Sequence, residues 1–207
     1  AERTEVIPKT GETPCDGGAN CPGRRFTDMP AAGNWAHAGI DFALKQGLFN
    51  GMSATTFEPD GSMTRAMLVT VLYRMAGSPT VDAPSGFTDV ADGQWYSDAI
   101  AWAAANGIVN GVSETSFDPD AAITREQMAA ILYRYAAYWE LDVSAEADLS
   151  AYEDASSVSA YAQAAMQWAV ANGVINGTSA TTLEPAGTAT RAQAATVLVR
   201  FQNSMKS

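Results

Sequence analysis

The chain has 207 residues, of which 47% are hydrophobic and 9% aromatic, so it contains enough apolar material for a folded core. Its 23 acidic residues outnumber its 12 lysines and arginines, and the resulting net charge of -11 argues against a nucleic-acid ligand, because phosphate binding needs a basic face. No apolar run approaches the roughly 20 residues that span a bilayer, and the first residues lack the basic and apolar blocks of a signal peptide. We therefore expect a soluble chain without membrane insertion, whose export signal was removed or lies further upstream.

Residues 1–25 form a leading segment. It contains both cysteines, Cys15 and Cys21, whose spacing and intervening glycines permit a small disulfide loop that would suit an extracytoplasmic location. The alternative is two incidental thiols. The single histidine, His37, is expected on a helix surface, and zinc would require three or four ligands together. We therefore predict no metal site and no cofactor.

Three stretches of the chain repeat one pattern. Each begins with an aromatic residue and an acidic residue two positions later, passes an Asn-Gly pair and a proline, and ends on a Thr-Arg pair that opens a second helix. The units are residues 26–76, 87–139 and 152–202, with polar linkers at 77–86 and 140–151. Three copies in register predict a repeat protein whose units bury a shared core.

Each unit is predicted to contain two helices joined by a long loop. In unit two the first helix runs from about Tyr96 to Asn106 and ends at Gly107, a glycine followed by an apolar residue. Asn110-Gly111 is predicted to form a tight turn with a left-handed residue. The second helices carry apolar residues at the i, i+3, i+4, i+7 spacing. These stripes are Leu68, Val71, Leu72 and Met75; Met128, Ile131, Leu132 and Tyr135; and Ala194, Val197, Leu198 and Phe201.

Matching stripes predict an all-α fold of three helix-loop-helix repeats with approximate three-fold symmetry, in which the second helices bury their apolar faces against each other. The aromatic residues within the first helices, Phe42, Trp102 and Trp168, are predicted to be core. Trp35 and Trp95 precede those helices, and either a core or a ligand-binding role fits them.

The Thr-Arg pairs mark the starts of the second helices. Thr124 with Gln127 and Thr190 with Gln193 form capping boxes, which Met67 interrupts in unit one. The arginines that follow face the positive end of the helix dipole, an unfavourable place for a cation. They are Arg65, Arg125 and Arg191. Either each arginine and helix N-terminus bind an anion together, or each arginine pairs with Asp28, Asp89 or Asp154 to hold a neighbouring unit.

As a set, these motifs resemble the S-layer homology domain family in three tandem copies. The resemblance rests on F-x-D near the start of a unit, a Trp or Tyr before the first helix, the N-G turn, F-x-P in the loop and the T-R-A/E-E/Q motif. It implies a pseudo-three-fold helical prism around a central helical bundle. It also implies inter-repeat grooves that bind secondary cell wall polysaccharide, commonly with a pyruvate ketal, and a place at the bacterial cell surface within a longer surface protein.

The resemblance assigns groove residues to matching positions in each unit. They are Asp28, Trp35, Gly51 and Arg65; Asp89, Trp95, Gly111 and Arg125; and Asp154, Tyr161, Gly177 and Arg191. Because unit three has Tyr161 for Trp and Leu183 for Phe, units one and two are expected to bind better. No constellation of catalytic side chains is evident, so we expect a non-catalytic module. The alternative to glycan binding is a structural module for protein-protein assembly.

Overall fold

The computed structural model of the chain describes residues 17–205. Cys15 lies outside this range, so the two alternatives for Cys15 and Cys21, a disulfide or two separate thiols, both stay open. The described part is all-helical, as predicted, with six α-helices and three short 3-10 turns. The helices are α1 (His37–Lys45), α2 (Arg65–Met75), α3 (Ser97–Ala105), α4 (Arg125–Tyr138), α5 (Gln163–Ala171) and α6 (Arg191–Ser204). Within residues 17–205, none of these helices is long and apolar enough to cross a membrane.

The first helix of each unit ends as the sequence predicts. In unit two α3 is followed by Gly107 with φ 67°, whose N–H donates to the Ala104 carbonyl, while the Ile108 N–H reaches back to Ala103 at 2.8 Å. This is a Schellman arrangement, in which a left-handed glycine lets the chain satisfy the last carbonyls of the helix. Gly47 and Gly173 are also left-handed.

The prediction of a left-handed residue in the Asn-Gly turns is wrong. Neither the asparagine nor the glycine of these turns has a positive φ, and the left-handed residues of these loops are the acidic ones before each proline. These are Glu58 (φ 59°), Asp118 (φ 58°) and Glu184 (φ 51°). Glycine is needed in the turn for a different reason, since a Cβ at Gly111 would collide with two backbone carbonyls of the same loop and with the Phe87 ring 2.7 Å away.

The core is one continuous cluster drawn from all six helices. All three apolar stripes of the second helices are buried, as predicted. The closest helix packing, however, is between a second helix and the first helix of the following unit: α3 on α2, α5 on α4, and α1 on α6. This cyclic order of contacts is consistent with the predicted pseudo-three-fold arrangement.

Aromatic side chains fill the spaces between these helix pairs. Trp102 and Trp168 are buried, as predicted, and Phe42 is half-buried. The Trp102 ring lies 5.6 Å from that of Tyr73 on α2, and Trp168 lies 5.6 Å from Tyr133 on α4. The first helices of units two and three, α3 and α5, are therefore held on the preceding unit by ring contacts.

The linkers have no helix but they are packed. Val81 and Leu141 lie half-buried against the core, and Leu149 is buried. The end of the leading segment is also ordered, with a 3-10 turn at Pro22–Arg25 that contacts α1. The end of the leading segment therefore packs against unit one, although the sequence predicts that unit one begins at residue 26.

Candidate functional site

The second helices begin at the contacts between units. We call each contact between the start of a second helix and the loop of the following unit a joint. At the start of α2 the Arg65 and Ala66 N–H groups donate to the carbonyls of Ala121 and Pro119 in unit two, both at 3.0 Å. The starts of α4 and α6 receive the loops of units three and one in the same way. These N–H groups are the ones that would have bound an anion. Of the two alternatives for the Thr-Arg pairs, the one in which the helix N-terminus binds an anion is therefore excluded at these N–H groups.

The three arginines bind backbone of the following unit. Arg65 Nε donates to the Phe117 carbonyl at 2.8 Å, and the guanidinium lies 4.6 Å above the Phe117 ring. Matching Nε contacts join Arg125 to Leu183 (2.7 Å) and Arg191 to Phe57 (2.9 Å). Unit one thus holds unit two, unit two holds unit three, and unit three holds unit one.

Carbonyl oxygens, and not carboxylates, are the acceptors of these arginine Nε groups. A second guanidinium nitrogen reaches the carbonyl before the turn glycine, at 2.6 Å for Arg125 to Asn176 and 2.8 Å for Arg191 to Asn50. Burial lowers the pKa of all three arginines, and nearby acidic residues oppose that effect. The guanidinium is therefore mainly a structural fork, which Lys could not replace.

The predicted aspartates act on the other side of the same loops. The Asp28 carboxylate accepts from the Phe57 and Glu58 N–H groups at 2.8 and 2.7 Å. Burial alone would raise the pKa of Asp28, but these backbone hydrogen bonds outweigh it and lower the pKa below its ordinary 3.8. Asp89 and Asp154 bind their own loops in the same way. Residue 57 is thus held by Asp28 at its N–H and by Arg191 at its carbonyl.

The aromatic residues that precede the first helices are exposed. Trp35 is 62% exposed, Trp95 59% and Tyr161 54%, so Trp35 and Trp95 are not core residues. An exposed ring beside a groove is a suitable platform for a sugar face, because its apolar body is available while its edge stays wet.

A cavity of about 380 Å³ lies beside Arg65, and we call it the Arg65 groove. All three units contribute to it: Arg65 from unit one, the Asn110-Gly111-Val112 turn and one face of α4 from unit two, and Tyr161 from unit three. Arg134 on α4 supplies a second guanidinium. Three of the predicted site residues, Arg65, Gly111 and Tyr161, are therefore brought together here, whereas Asp89 binds the loop outside the cavity lining.

Tyr161 has a fixed position in this groove. Its hydroxyl donates to Glu126 at 3.1 Å, and Glu126 also accepts from the Ser159 N–H and hydroxyl at 2.9 and 2.8 Å. Burial, followed by the Glu126 charge, raises the pKa of Tyr161 to about 12. The ring is thus oriented by a buried carboxylate that units one and three replace with Ala66 and Ala192.

Arg134 belongs to a second set of arginines that the motif search missed. Each member follows the joint arginine of its helix by nine residues, which places it further along the same second helix. The set is Arg74, Arg134 and Arg200. The fixed spacing of this second set is visible in the sequence. No Thr-Arg motif surrounds these arginines, so the motifs alone do not indicate them.

The capping boxes are confirmed. Thr124 and Gln127 exchange both hydrogen bonds, as do Thr190 and Gln193. In unit one the Thr64 hydroxyl accepts from the Met67 N–H at 3.2 Å, while the Met67 sulfur lies 3.9 Å from Arg191 Nη1. Unit one therefore has half of the capping box.

Comparison with known families gives a direct match. The model of the S-layer homology domain matches residues 25–66, 86–129 and 151–195, one match in each unit. S-layer homology domains are cell-surface anchoring modules.

Among curated proteins, the chain is 33% identical to the Surface-layer 125 kDa protein of Lysinibacillus sphaericus over 85% of this chain and 15% of that protein. It is 33% identical to an Amylopullulanase of Thermoanaerobacterium thermosulfurigenes over 80% of this chain and 9% of that protein. It is 31% identical to a Cellulosome-anchoring protein of Acetivibrio thermocellus over 53% of this chain and 25% of that protein. The chain thus spans a quarter or less of the length of these relatives. With a family match in each of its three repeats, this chain belongs to the S-layer homology domain family.

Proposed function

We propose that this chain is a non-catalytic module that anchors a longer protein to the outside of a bacterial cell wall. Its ligand is secondary cell wall polysaccharide whose sugars carry a pyruvate ketal, bound in the grooves between units. Catalytic activity, where the parent protein has one, resides elsewhere in that protein. The names of the matched proteins support this division, since they include surface-layer proteins, a cellulosome anchor and enzymes of which the chain covers a small part.

The observation that carries the proposal is a pair of guanidinium groups on one cavity of an acidic protein. Arg65 and Arg134 both line the Arg65 groove, although the chain carries a net charge of -11. The charge of Arg200 is also close enough to Arg125 to add to the lowering of its pKa by burial. Two like charges beside a cavity favour an anionic ligand, and a ketal carboxylate can accept from a guanidinium fork.

The exposed rings supply the second half of the recognition. Tyr161 lies beside Arg65 and Arg134 and can contact the apolar face of a sugar while they bind its carboxylate. Since α1 packs on α6 and α3 on α2, we expect Trp35 and Trp95, which precede α1 and α3, to take the corresponding places in two further grooves. Several weak grooves on one polymer would give avidity.

Calorimetric titration with short pyruvylated wall fragments tests the proposal, because short fragments limit avidity between grooves. Arg65 is a poor probe, since its replacement would break a joint between units. The double variant Arg134→Ala/Arg200→Ala removes one arginine from each of two grooves instead. We expect it to weaken binding there about tenfold or more, because each charge-assisted hydrogen bond contributes about 1.5 to 3 kcal/mol.

The matched control is Arg24→Ala/Arg25→Ala, which removes the same charge from exposed residues outside the grooves. The same glycan without its ketal should lose affinity for the wild-type chain and become insensitive to the double variant. Equal binding with and without the ketal would refute carboxylate recognition. Absence of binding to any wall fragment, with concentration-dependent self-association, would favour the protein-assembly function.

A further inference from the structure

Cys21 of the leading segment and two residues of α1 form a cluster of three potential metal ligands, none of which lines the Arg65 groove. Cys21 Sγ lies 3.2 Å from Asp41 Oδ1 and 3.6 Å from His37 Nε2, and the three ligand atoms lie within 4.8 Å of one another. All three residues are buried, with His37 only 3% exposed. The prediction that His37 lies on a helix surface is therefore wrong. Cys21 precedes the 3-10 turn, while His37 and Asp41 are one helical turn apart on α1.

The histidine is oriented like a metal ligand. Its Nδ1 lies 2.7 Å from the Pro30 carbonyl, which can only accept, so Nδ1 carries the proton. The lone pair of Nε2 then points toward the Cys21 sulfur. A metal-bound histidine typically donates its other N–H to a carbonyl or carboxylate in this way.

The arrangement does not match a catalytic triad. In a Cys-His-Asp triad the carboxylate orients the imidazole by binding its second nitrogen. Here the Pro30 carbonyl takes that place, and Asp41 contacts the thiol. The carboxylate oxygen, the sulfur and Nε2 lie within 4.8 Å of one another, so they are close enough to share one ion.

The other two units show that the fold does not require these residues. The positions equivalent to His37 are Ser97 and Gln163, and those equivalent to Asp41 are Ala101 and Gln167. Ala101 is buried at its site in unit two, so the fold accepts an apolar residue there. A buried carboxylate is costly unless a partner compensates its charge. The cluster of Cys21, His37 and Asp41 therefore calls for a ligand-binding explanation.

We propose that Cys21, His37 and Asp41 bind a divalent transition metal, with zinc as the best match to their sulfur, nitrogen and oxygen donors. Zinc bonded at about 2.3 Å to sulfur and about 2.0 to 2.1 Å to nitrogen, at a tetrahedral angle, separates those two atoms by about 3.6 Å. The structure has this separation between Cys21 and His37, at 3.6 Å. The contact from Cys21 to Asp41 must lengthen by about 0.4 Å to reach the corresponding value.

Charge balance supports the same ligand. A thiolate and a carboxylate bring two negative charges, the histidine is neutral as a ligand, and a divalent metal cancels both charges inside a buried site. A water or another group completes the fourth position. The metal would join the leading segment, through Cys21, to α1, through His37 and Asp41. It would therefore fix the position of the chain where it enters unit one.

Cobalt is the probe for the test, because a cobalt-thiolate bond gives a charge-transfer band in the near ultraviolet and tetrahedral cobalt gives intense visible bands. The full chain, fully reduced, is titrated with Co²⁺ and then with Zn²⁺ as competitor. We expect one equivalent of cobalt to bind with a thiolate band, zinc to displace it, and zinc to raise the melting temperature. Absence of a thiolate band in the reduced wild-type chain would overturn the proposal without any variant.

Variants then identify the ligands. Cys21→Ser should abolish the thiolate band, and His37→Gln and Asp41→Asn should each raise the zinc Kd about 100-fold or more, since losing even an outer-shell partner costs 10- to 100-fold. Cys15→Ser and the exposed Asp98→Asn are controls that should bind as wild type. Retention of wild-type affinity in both His37→Gln and Asp41→Asn would overturn the site, and so would loss of the band in Cys15→Ser. Neither outcome decides the glycan test, because none of the three residues lines the Arg65 groove and none is changed in the glycan-test variants.

Discussion

Each second helix carries two arginines nine residues apart, and they have different tasks. The joint arginines, Arg65, Arg125 and Arg191, are 5 to 8% exposed and donate to backbone carbonyls of the following unit. The groove arginines, Arg74, Arg134 and Arg200, are half-buried or exposed. Arg134 lines the Arg65 groove, and Arg74 donates to the Leu48 carbonyl of its own unit.

The difference shows that a repeated charged residue need not be repeated for a ligand. The joint arginines stand in the most distinctive motif of the sequence, yet their Nε hydrogen bonds go to backbone carbonyls of the following unit and hold the repeats together. A buried guanidinium is acceptable there because carbonyl groups and, in two joints, a phenylalanine ring surround it. The groove arginines are less conspicuous in the sequence and more accessible to a glycan.

The largest effect that would test this division comes from Arg125→Ala. Two carbonyls of unit three, those of Leu183 and Asn176, would lose their donor. At about 1 to 3 kcal/mol for each buried group left unsatisfied, we expect the free energy of unfolding to fall by about 3 kcal/mol or more. Urea denaturation followed by tryptophan fluorescence measures the change.

Arg134→Ala is the matched variant from the groove set, and Arg24→Ala is the exposed control. Both should change the free energy of unfolding by less than about 0.5 kcal/mol. Equal stability of Arg125→Ala and Arg134→Ala would contradict the division into joint and groove arginines.

The aspartates that hold the loops predict an acid-sensitive fold. The folded-state pKa values of Asp28, Asp89 and Asp154 are lowered, chiefly by backbone hydrogen bonds that outweigh burial in Asp28 and Asp89. Their contribution is therefore complete above the ordinary value of 3.8 and is lost as the pH falls from there through the folded-state pKa. Denaturation measured from pH 6 down to about pH 2 should show stability falling mainly below about pH 4.

Asp28→Asn isolates one of these carboxylates. Allowing for solvent screening at a half-buried loop, we expect a loss of about 1 to 2 kcal/mol at neutral pH and a smaller fall on acidification. Asp60→Asn, on an exposed residue of the same loop, is the control. If Asp28→Asn kept the full acid dependence of the wild-type chain, Asp28 would not be one of its sources.

The contact between Arg65 and Phe117 predicts a measurable coupling. The guanidinium lies 4.6 Å above the ring, whereas the equivalent residue under Arg125 is Leu183. A desolvated cation-π contact contributes about 1 kcal/mol. In a double-mutant cycle of Arg65→Met and Phe117→Leu, we expect a coupling energy of about 1 kcal/mol, and the cycle of Arg125→Met with Leu183→Val should give a smaller value. Equal coupling energies in both cycles would contradict a stabilising contact between the Arg65 guanidinium and the Phe117 ring.

Much of the fold follows from local sequence signals. Thr124 with Gln127 predicts a helix start, Gly107 with Ile108 predicts a helix end, and the apolar stripes predict the buried faces. These features depend on residues that are close in the chain. The turn glycine could not be assigned correctly, because its constraint comes from carbonyls of the folded loop and not from its own φ.

The candidate site was predictable only in part. The family resemblance selected Arg65, Gly111 and Tyr161, and the structure brings them to one cavity. The partner of Arg65 could not be predicted, because it is a backbone carbonyl 52 residues away, which has no side-chain signature. The cluster around His37 escaped prediction because Cys21 joins α1 only through the tertiary fold.

The smallest effect concerns the one second helix that has half of a capping box. Met67→Gln would let a side chain accept from the Thr64 N–H, as Gln127 does from Thr124 at 3.1 Å. Adding this hydrogen bond should stabilise the chain by about 0.5 to 1 kcal/mol, which urea denaturation can resolve. The matched reverse change, Gln127→Met, should destabilise by a similar amount. Since the Met67 sulfur lies 3.9 Å from Arg191, a loss of stability in Met67→Gln would mean that this contact with a joint arginine matters more than the cap.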